Sequence, residues 1–268
     1  MKIIANHAHL MPPKDMGNRD WPDGDSEMLL KQLDYCGIDR VVIFPPFACQ
    51  VGNNMKKANL WAFGQVKQHS DRFIPAGTIF PLAADALELL DIMHAEGIKL
   101  AKIHPSVDLH DIADPGAGAC YAKAEELGIA LDYHTGPHGT RLSLVDPVKF
   151  DDLAWNHPRL KLVFEHLGGR TYFEQFMAIL SNHQSGRVYG GLTSVLEYET
   201  NKMWYLGPER IAALVDCVGA DKLIYGLDFP WNSPETNRRD IEIIRSLNIA
   251  ETDKDKILGG NLAALVGA

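Results

Sequence analysis

The sequence predicts an α/β fold, a (β/α)8 TIM barrel in a single domain over residues 1–268. Eight short β-rich apolar runs recur at intervals of roughly 25 to 40 residues, and amphipathic helical patterns separate most of them. Such alternation implies parallel strands joined by right-handed crossovers. A doubly wound open sheet is the alternative, but no G-x-G-x-x-G motif follows the first run and the chain contains no Walker A sequence.

The predicted strands are rich in β-branched and aromatic residues, and they span 3–9, 40–46, 72–79, 99–105, 129–135, 160–166, 188–194 and 222–229. Apolar residues spaced by three and four predict helices over 26–37, 53–70, 83–97, 116–128, 171–183, 208–219 and 236–248, with a closing helix over 252–267. The first helix begins with the capping residue Ser26 and ends at Gly37. We assign no helix between the fifth and sixth strands.

The bulk composition restricts the class of protein. Hydrophobic residues make up 46% of the chain and the net charge is −9, without a Lys/Arg cluster, so we expect a large core and no nucleic-acid partner. No C-x-x-C pair occurs, which argues against a disulfide scaffold or a cysteine-rich zinc site. Signal-peptide and membrane-spanning patterns are also absent from the sequence. We therefore expect a cytoplasmic protein that binds a small-molecule substrate and no membrane.

The first strand ends in NHAH, which places two imidazoles two residues apart. Successive side chains of a strand point to opposite faces, so His7 and His9 share one face. Two imidazoles at that spacing can bind one metal ion, although an exposed pair of histidines at a strand end is the simpler alternative.

Other strands end in residues of the same kind. The carboxyl ends of barrel strands carry active sites, and here they present Lys102, His104, Asp132, His134, Glu165, His166 and Asp228. His7, His9, His134 and Asp228 together offer three imidazoles and one carboxylate, a set suited to Zn²⁺ and, with less preference, to Mn²⁺, Co²⁺ or Fe²⁺. His166 is the candidate general acid or base, because an imidazole titrates near neutral pH.

These strand ends resemble the motifs of a known family. HAH at 7–9, AKIHP at 101–105, DYHTG at 132–136, EHLGG at 165–169 and YGLDFPW at 225–231 resemble the amidohydrolase superfamily. The most similar branch is the amidohydrolase-related one, which includes aminocarboxymuconate semialdehyde decarboxylase, and ILGGNLAALVG at 257–267 resembles its closing helix. The resemblance implies one divalent metal held by His7, His9, His134 and Asp228. It also implies that His166 activates water or shuttles a proton, with Asp228 as its catalytic partner, and that two chains can form a homodimer.

The sequence departs from the family pattern at two positions. Asn6 replaces the usual Asp before the first histidine, which removes a charge near the metal. Leu262 replaces the usual Ala of the closing helix, and this change concerns packing.

Several further residues are candidates for binding substrate. Lys102 could bridge two metals as a carboxylated lysine, hold a substrate carboxylate with His104 beside it, or reach solvent. Arg170 could bind a carboxylate or shield the start of a helix, and Trp231 is expected to line the pocket. The long loop 11–25 is a candidate lid, with Trp21 or Arg19 reaching the substrate. Asp132 and Glu165 are expected to face away from the site.

Three functions remain open on these residues. The first is a metal-dependent hydrolase that opens an amide, lactone or ester bond through a metal-activated water. The second is a metal-dependent non-oxidative decarboxylase of an aromatic or unsaturated carboxylic acid, since one scaffold can host both chemistries. The third, a catalytically silent binding barrel, is disfavoured because binding alone does not require His166.

Overall fold

The predicted strands pair side by side into a closed parallel barrel. A computed structural model describes residues 2–16, 21–183, 186–199 and 201–268. In these residues the strands are β1 Ile4–His9, β2 Arg40–Phe44, β3 Phe73–Pro75 with Gly77–Thr78, β4 Leu100–Ile103, β5 Ala130–His134, β6 Leu162–Glu165, β7 Val188–Gly191 and β8 Leu223–Ile224 with Gly226–Phe229. The two interrupted strands close the barrel, because one half of each pairs with the preceding strand and the other half with the next. The predicted fold class is confirmed.

A helix follows each strand around the outside of the barrel. The helices are α1 Ser26–Cys36, α2 Met55–Gln68, α3 Ala86–Ala95, α4 Gly118–Leu127, α5 Pro147–Asn156, α6 Gly169–Asn182, α7 Pro208–Val218 and α8 Pro234–Ser246. Helix α5 was not predicted. Its start signals are Asp146, whose side chain accepts a hydrogen bond from the Val148 amide, and Pro147 in the first turn. Within the described ranges, no helix has both the length and the apolarity needed to cross a bilayer.

Two apolar layers leave one end of the barrel open. The larger layer lies between strands and helices. The smaller one fills the amino-terminal half of the barrel with Ile4, Val42, Ile74, Leu100, Ala130, Val163 and Ile224. The closing segment consists of Glu251–Asp255, the π-helical turn Lys256–Gly260 and Asn261–Val266, and it packs Leu262 and Leu265 against this floor. The other end of the barrel interior is therefore where polar side chains can collect.

The packing of the apolar floor can be tested by a substitution at Leu262. The side chain is 1% exposed, so Leu262→Ala removes buried methyl groups and leaves a cavity. We expect it to lower the free energy of unfolding by about 2–5 kcal/mol, measured by urea denaturation. The matched control is Leu60→Ala in α2, where Leu60 is 50% exposed and the expected loss is under about 1 kcal/mol. Equal losses in the two variants would contradict the packing described here.

Candidate active site

A cavity of about 350 Å³ opens at the carboxyl ends of the strands. Most of the strand-end residues identified from the sequence line it. The lining comprises His7, His9, Trp21, Phe47, His104, Val107, His134, His138, His166, Asn201, Trp204, Asp228, Trp231 and Asn232. The structure therefore brings His7, His9, His134, His166 and Asp228 into one cavity, and it places the candidate substrate residues His104 and Trp231 beside them.

A bulge in β1 sets the direction of the first histidine. The pairing register of β1 shifts between Asn6 and Ala8 on one side of the strand, and His7 has a φ of 65°. A non-glycine residue in that region is uncommon and strained, and such residues cluster at functional sites. Because of this extra residue, Asn6 and His7 both face the barrel interior, and His9 follows on the same face.

Two of the four predicted donors, His7 and Asp228, lie at a distance that suits ligands of one metal. His7 Nε2 lies 3.6 Å from Asp228 Oδ1, a separation that two ligands of one metal can have when each bond is about 2.0–2.2 Å. The Ser194 hydroxyl donates to Asp228 Oδ2 at 2.7 Å, which leaves Oδ1 available. His134 Nε2 is buried and has no hydrogen-bond partner. A buried imidazole nitrogen without a partner suits a divalent transition metal.

Burial keeps these imidazoles neutral. It lowers the pKa of His9 and of His166 to about 3, and it lowers the pKa of His7 and His134 well below the usual value. Neutral imidazole is the form that binds a metal. Burial also raises the pKa of the Asp228 carboxyl, although the Ser194 hydrogen bond opposes that shift.

His166 is held in one tautomer. Its Nδ1 donates a hydrogen bond to the Thr193 carbonyl at 2.8 Å, so Nε2 is the nitrogen that can accept a proton. The backbone turns sharply here, with φ of 66° at His166 and 48° at Leu167. The His166 ring lies 4.8 Å from that of His134, between centroids. This arrangement suits a general base beside the predicted metal ligands.

A fully buried polar layer lies beneath the histidines. Lys102 Nζ binds Asp132 Oδ1 at 2.7 Å, and Asn6 Nδ2 donates to Asp132 Oδ2 at 2.7 Å and to Glu165 Oε1 at 2.6 Å. Glu165 Oε1 in turn lies 3.5 Å from His7 Nδ1. The polar layer, Asn6, Lys102, Asp132 and Glu165, thus supports the ring of the first predicted ligand.

The polar layer corrects three expectations. Lys102 does not reach solvent, because it is 0% exposed and paired with Asp132. Asp132 faces the interior because residues two apart on a strand share a face, as Asp132 and His134 do. Glu165 also faces inward, where Gly191 leaves room for it: a Cβ on Gly191 would lie 2.2 Å from Glu165 Oε2. Burial and the charge of Asp132 raise the pKa of Glu165 well above the usual range.

A second metal in this layer is disfavoured. Ligand atoms of His7, Asp132 and Glu165 lie within 4.8 Å of one another, a spacing that could hold a metal ion. Lys102 and Asn6 already bind both oxygens of Asp132 and Oε1 of Glu165, however, and the ammonium supplies the compensating charge. Carboxylation would place a negative carbamate against Asp132. The ion pair therefore favours Lys102 as an ammonium group beneath the cavity, away from direct contact with a substrate.

Loops supply the parts of the cavity that sequence reasoning missed. Trp204, Asn201 and His138 had no motif to mark them, since each lies in an irregular connection. Trp204 packs against His134 and His166, with ring centroids 5.3 and 4.8 Å away. It fits there because Gly136 has no side chain: a Cβ at that position would lie 2.6 Å from the Trp204 ring.

The remaining candidates divide between the cavity and its surroundings. Trp231 and Trp21 line the cavity with ring centroids 6.4 Å apart. Arg170 is exposed at the start of α6 and is not among the lining residues. Arg19 lies outside the described residues. The described lining therefore contains no Lys or Arg side chain.

The buried ion pair gives a direct test of the polar layer. Lys102→Met leaves the Asp132 charge without its partner, so we expect a loss of about 3–5 kcal/mol in the free energy of unfolding, measured by urea denaturation. The double variant Lys102→Met/Asp132→Leu removes both charges and should recover part of that loss. A Lys102→Met protein as stable as the wild type would show that Lys102 is not needed to compensate the charge of Asp132.

Comparison with known proteins agrees with the barrel and the motifs. A family model described as Amidohydrolase (Amidohydro_2) matches residues 4–268. An uncharacterised TIM-barrel protein from Bordetella bronchiseptica is similar over 100% of both chains, at 18% identity and a TM-score of 0.77. A probable 2-pyrone-4,6-dicarboxylic acid hydrolase from Acinetobacter baumannii with citric acid bound is similar over 100% of both chains, at 18% identity and a TM-score of 0.71. A dihydroxybenzoic acid decarboxylase from Polaromonas sp. JS666, with bound manganese and the inhibitor 2-nitroresorcinol, matches 99% of this chain and 97% of its own, at 14% identity and a TM-score of 0.70.

At these identities the similar structures establish the fold alone, and the family follows from the model that spans nearly the whole chain. That match agrees with the motifs at the strand ends and confirms the resemblance drawn from them. The chain belongs to the amidohydrolase family.

Proposed function

We propose that this protein is a metal-dependent hydrolase that opens an amide, lactone or ester bond of a small molecule. The observation that carries the proposal is the convergence, in one cavity, of four candidate metal donors and a histidine whose Nε2 is free to accept a proton. A site that only binds metal would not need that histidine. The homodimer expected from the family remains a prediction, which sedimentation can test.

One divalent transition metal is proposed to be held by His7, His9, His134 and Asp228. When bound there, it would polarise a substrate carbonyl and activate water. The three imidazoles favour Zn²⁺, and the manganese in the similar Polaromonas structure keeps Mn²⁺ as a second choice.

Side chains of the protein then accept the proton and pass it on. His166 Nε2 accepts a proton from the attacking water and returns it to the leaving group, while the Thr193 carbonyl holds Nδ1–H and keeps the ring oriented. Asp228 is proposed as the second proton acceptor, because it lines the same cavity as His166. The Ser194 hydroxyl orients that carboxylate from the other side.

The cavity walls favour a flat substrate that carries no carboxylate. The aromatic wall, defined here as Trp21, Phe47, Trp204 and Trp231, offers large apolar faces. The described lining has no Lys or Arg to hold a substrate carboxylate. This second feature supports hydrolysis over decarboxylation. Decarboxylation of an aromatic or unsaturated acid remains the second candidate, because the same aromatic wall suits its ring.

The metal ligands can be tested by elemental analysis of zinc-loaded protein. We expect the wild type to hold one zinc per chain and the double variant His7→Gln/His9→Gln to lose it, because two of the four donors are gone. The control is His94→Gln, on an exposed histidine of α3, and it should keep the metal. Full zinc content in the double variant would rule out these two ligands.

The reaction can be tested with metal-loaded protein in ¹⁸O-labelled water, using a panel of lactones, aryl esters, anilides and hydroxybenzoates. Hydrolysis predicts that ¹⁸O enters the acid product, read by mass spectrometry, whereas decarboxylation releases CO₂ from the hydroxybenzoates instead. For the compound converted fastest, His166→Ala should keep its metal and lose turnover by about 10²–10⁴-fold. Near-normal turnover in that variant would remove His166 from the mechanism.

A further inference from the structure

His104 occupies a defined position at the rim of the barrel, directly after β4. Its side chain is 5% exposed and lines the cavity. The ring stacks on His134 with centroids 3.9 Å apart and planes 10° from parallel, and Phe47 contacts it edge-on at 5.4 Å. A substrate bound beside His134 would therefore lie within reach of this imidazole.

One hydrogen bond determines which nitrogen of His104 carries the proton. The Val107 amide donates to His104 Nδ1 at 3.2 Å, which caps the short helix Pro105–Asp108. Nδ1 must then present its lone pair, so the neutral ring carries its proton on Nε2. Protonation of Nδ1 would set two donors against each other and break the cap. The fold thus holds His104 as a neutral imidazole with an Nε2–H donor.

This tautomer argues against His104 as a metal ligand. Ligand atoms of His104, His134 and His138 lie within 4.8 Å of one another, a spacing that could hold a metal ion. In His104, however, Nδ1 already binds the Val107 amide and Nε2 carries the proton. The stacked rings of His104 and His134 also direct their in-plane nitrogens side by side, without converging on one point.

Resting on the proposed function, we propose that His104 donates Nε2–H to an acceptor oxygen of the substrate, the carbonyl oxygen of the bond to be opened or the carboxylate oxygen of the product. His104 would then select substrates that place such an oxygen next to the ring held by the aromatic wall. Its donor is uncommitted among the described groups. The amide of Asn232, another lining residue, already donates to the Ser194 hydroxyl and the Leu227 carbonyl.

Two substitutions separate the donor from the cap. In His104→Asn, the side-chain oxygen can replace Nδ1 and accept from Val107, but no group reaches the position of Nε2. In His104→Gln, the amide nitrogen reaches that position and can donate. Benzoate is the probe, since it carries a ring and a carboxylate and is the acid product of a benzoate ester. Benzylamine is the control probe, since its ammonium group accepts no hydrogen bond.

Binding is measured by calorimetry on zinc-loaded wild type and both variants. We expect His104→Asn to bind benzoate at least about tenfold more weakly than the wild type, as for loss of a hydrogen bond to a charged acceptor. His104→Gln should stay within about threefold, and benzylamine should not distinguish the proteins. All three should keep one zinc, and His104→Asn, which retains the cap, should keep the melting temperature of the wild type. Equal benzoate affinity in His104→Asn, or no benzoate binding by the wild type, would overturn the proposal.

The tautomer is tested separately by ¹⁵N–¹H correlation spectroscopy of the imidazoles, with the His104 signals assigned by their loss in His104→Asn. We expect an Nε2–H tautomer both without and with zinc. An Nδ1–H tautomer, or loss of the Nε2 proton on zinc binding, would make His104 a metal ligand and overturn the proposal. Neither measurement needs turnover, so failure of the hydrolase assay leaves these outcomes readable, and their failure leaves that assay intact.

Discussion

The ion pair between Lys102 and Asp132 is the interaction on which the rest of the site depends. A charge inside a barrel is costly unless a partner lies in contact with it, and here the two atoms are 2.7 Å apart with no exposed surface. Asn6 extends the pair to Glu165, which lies beside His7. This chain of contacts accounts for asparagine where the family has aspartate. Asn6 donates to two carboxylates, whereas an aspartate would add another negative charge around one lysine.

The barrel interior is consequently stratified along its axis. The closing segment and the strand starts form an apolar floor, the polar layer lies above it, and the imidazoles form the upper level next to solvent. Each level packs against the level above it. The floor excludes water from the ion pair, and the polar layer contacts the first histidine through Glu165 Oε1, 3.5 Å from His7 Nδ1.

Much of this arrangement could be predicted from the sequence, because strand spacing and strand-end chemistry are local patterns. The features that could not be predicted arise from backbone geometry and from loop packing. The bulge at His7 and the turn at His166 place side chains through positive φ values, which simple alternation does not contain. For the same reason Glu165 was assigned to the wrong face. Trp204 lies in an irregular loop and reaches the site because Gly136, distant in sequence, leaves space for it.

Anomalous diffraction at the zinc edge, from crystals of the loaded protein, tests whether one metal position joins β1, β5 and β8. We expect a single peak at about 2.0–2.2 Å from one atom of each of His7, His9, His134 and Asp228. A peak among His104, His134 and His138, a peak between Asp132 and Glu165, or no peak after loading would contradict it.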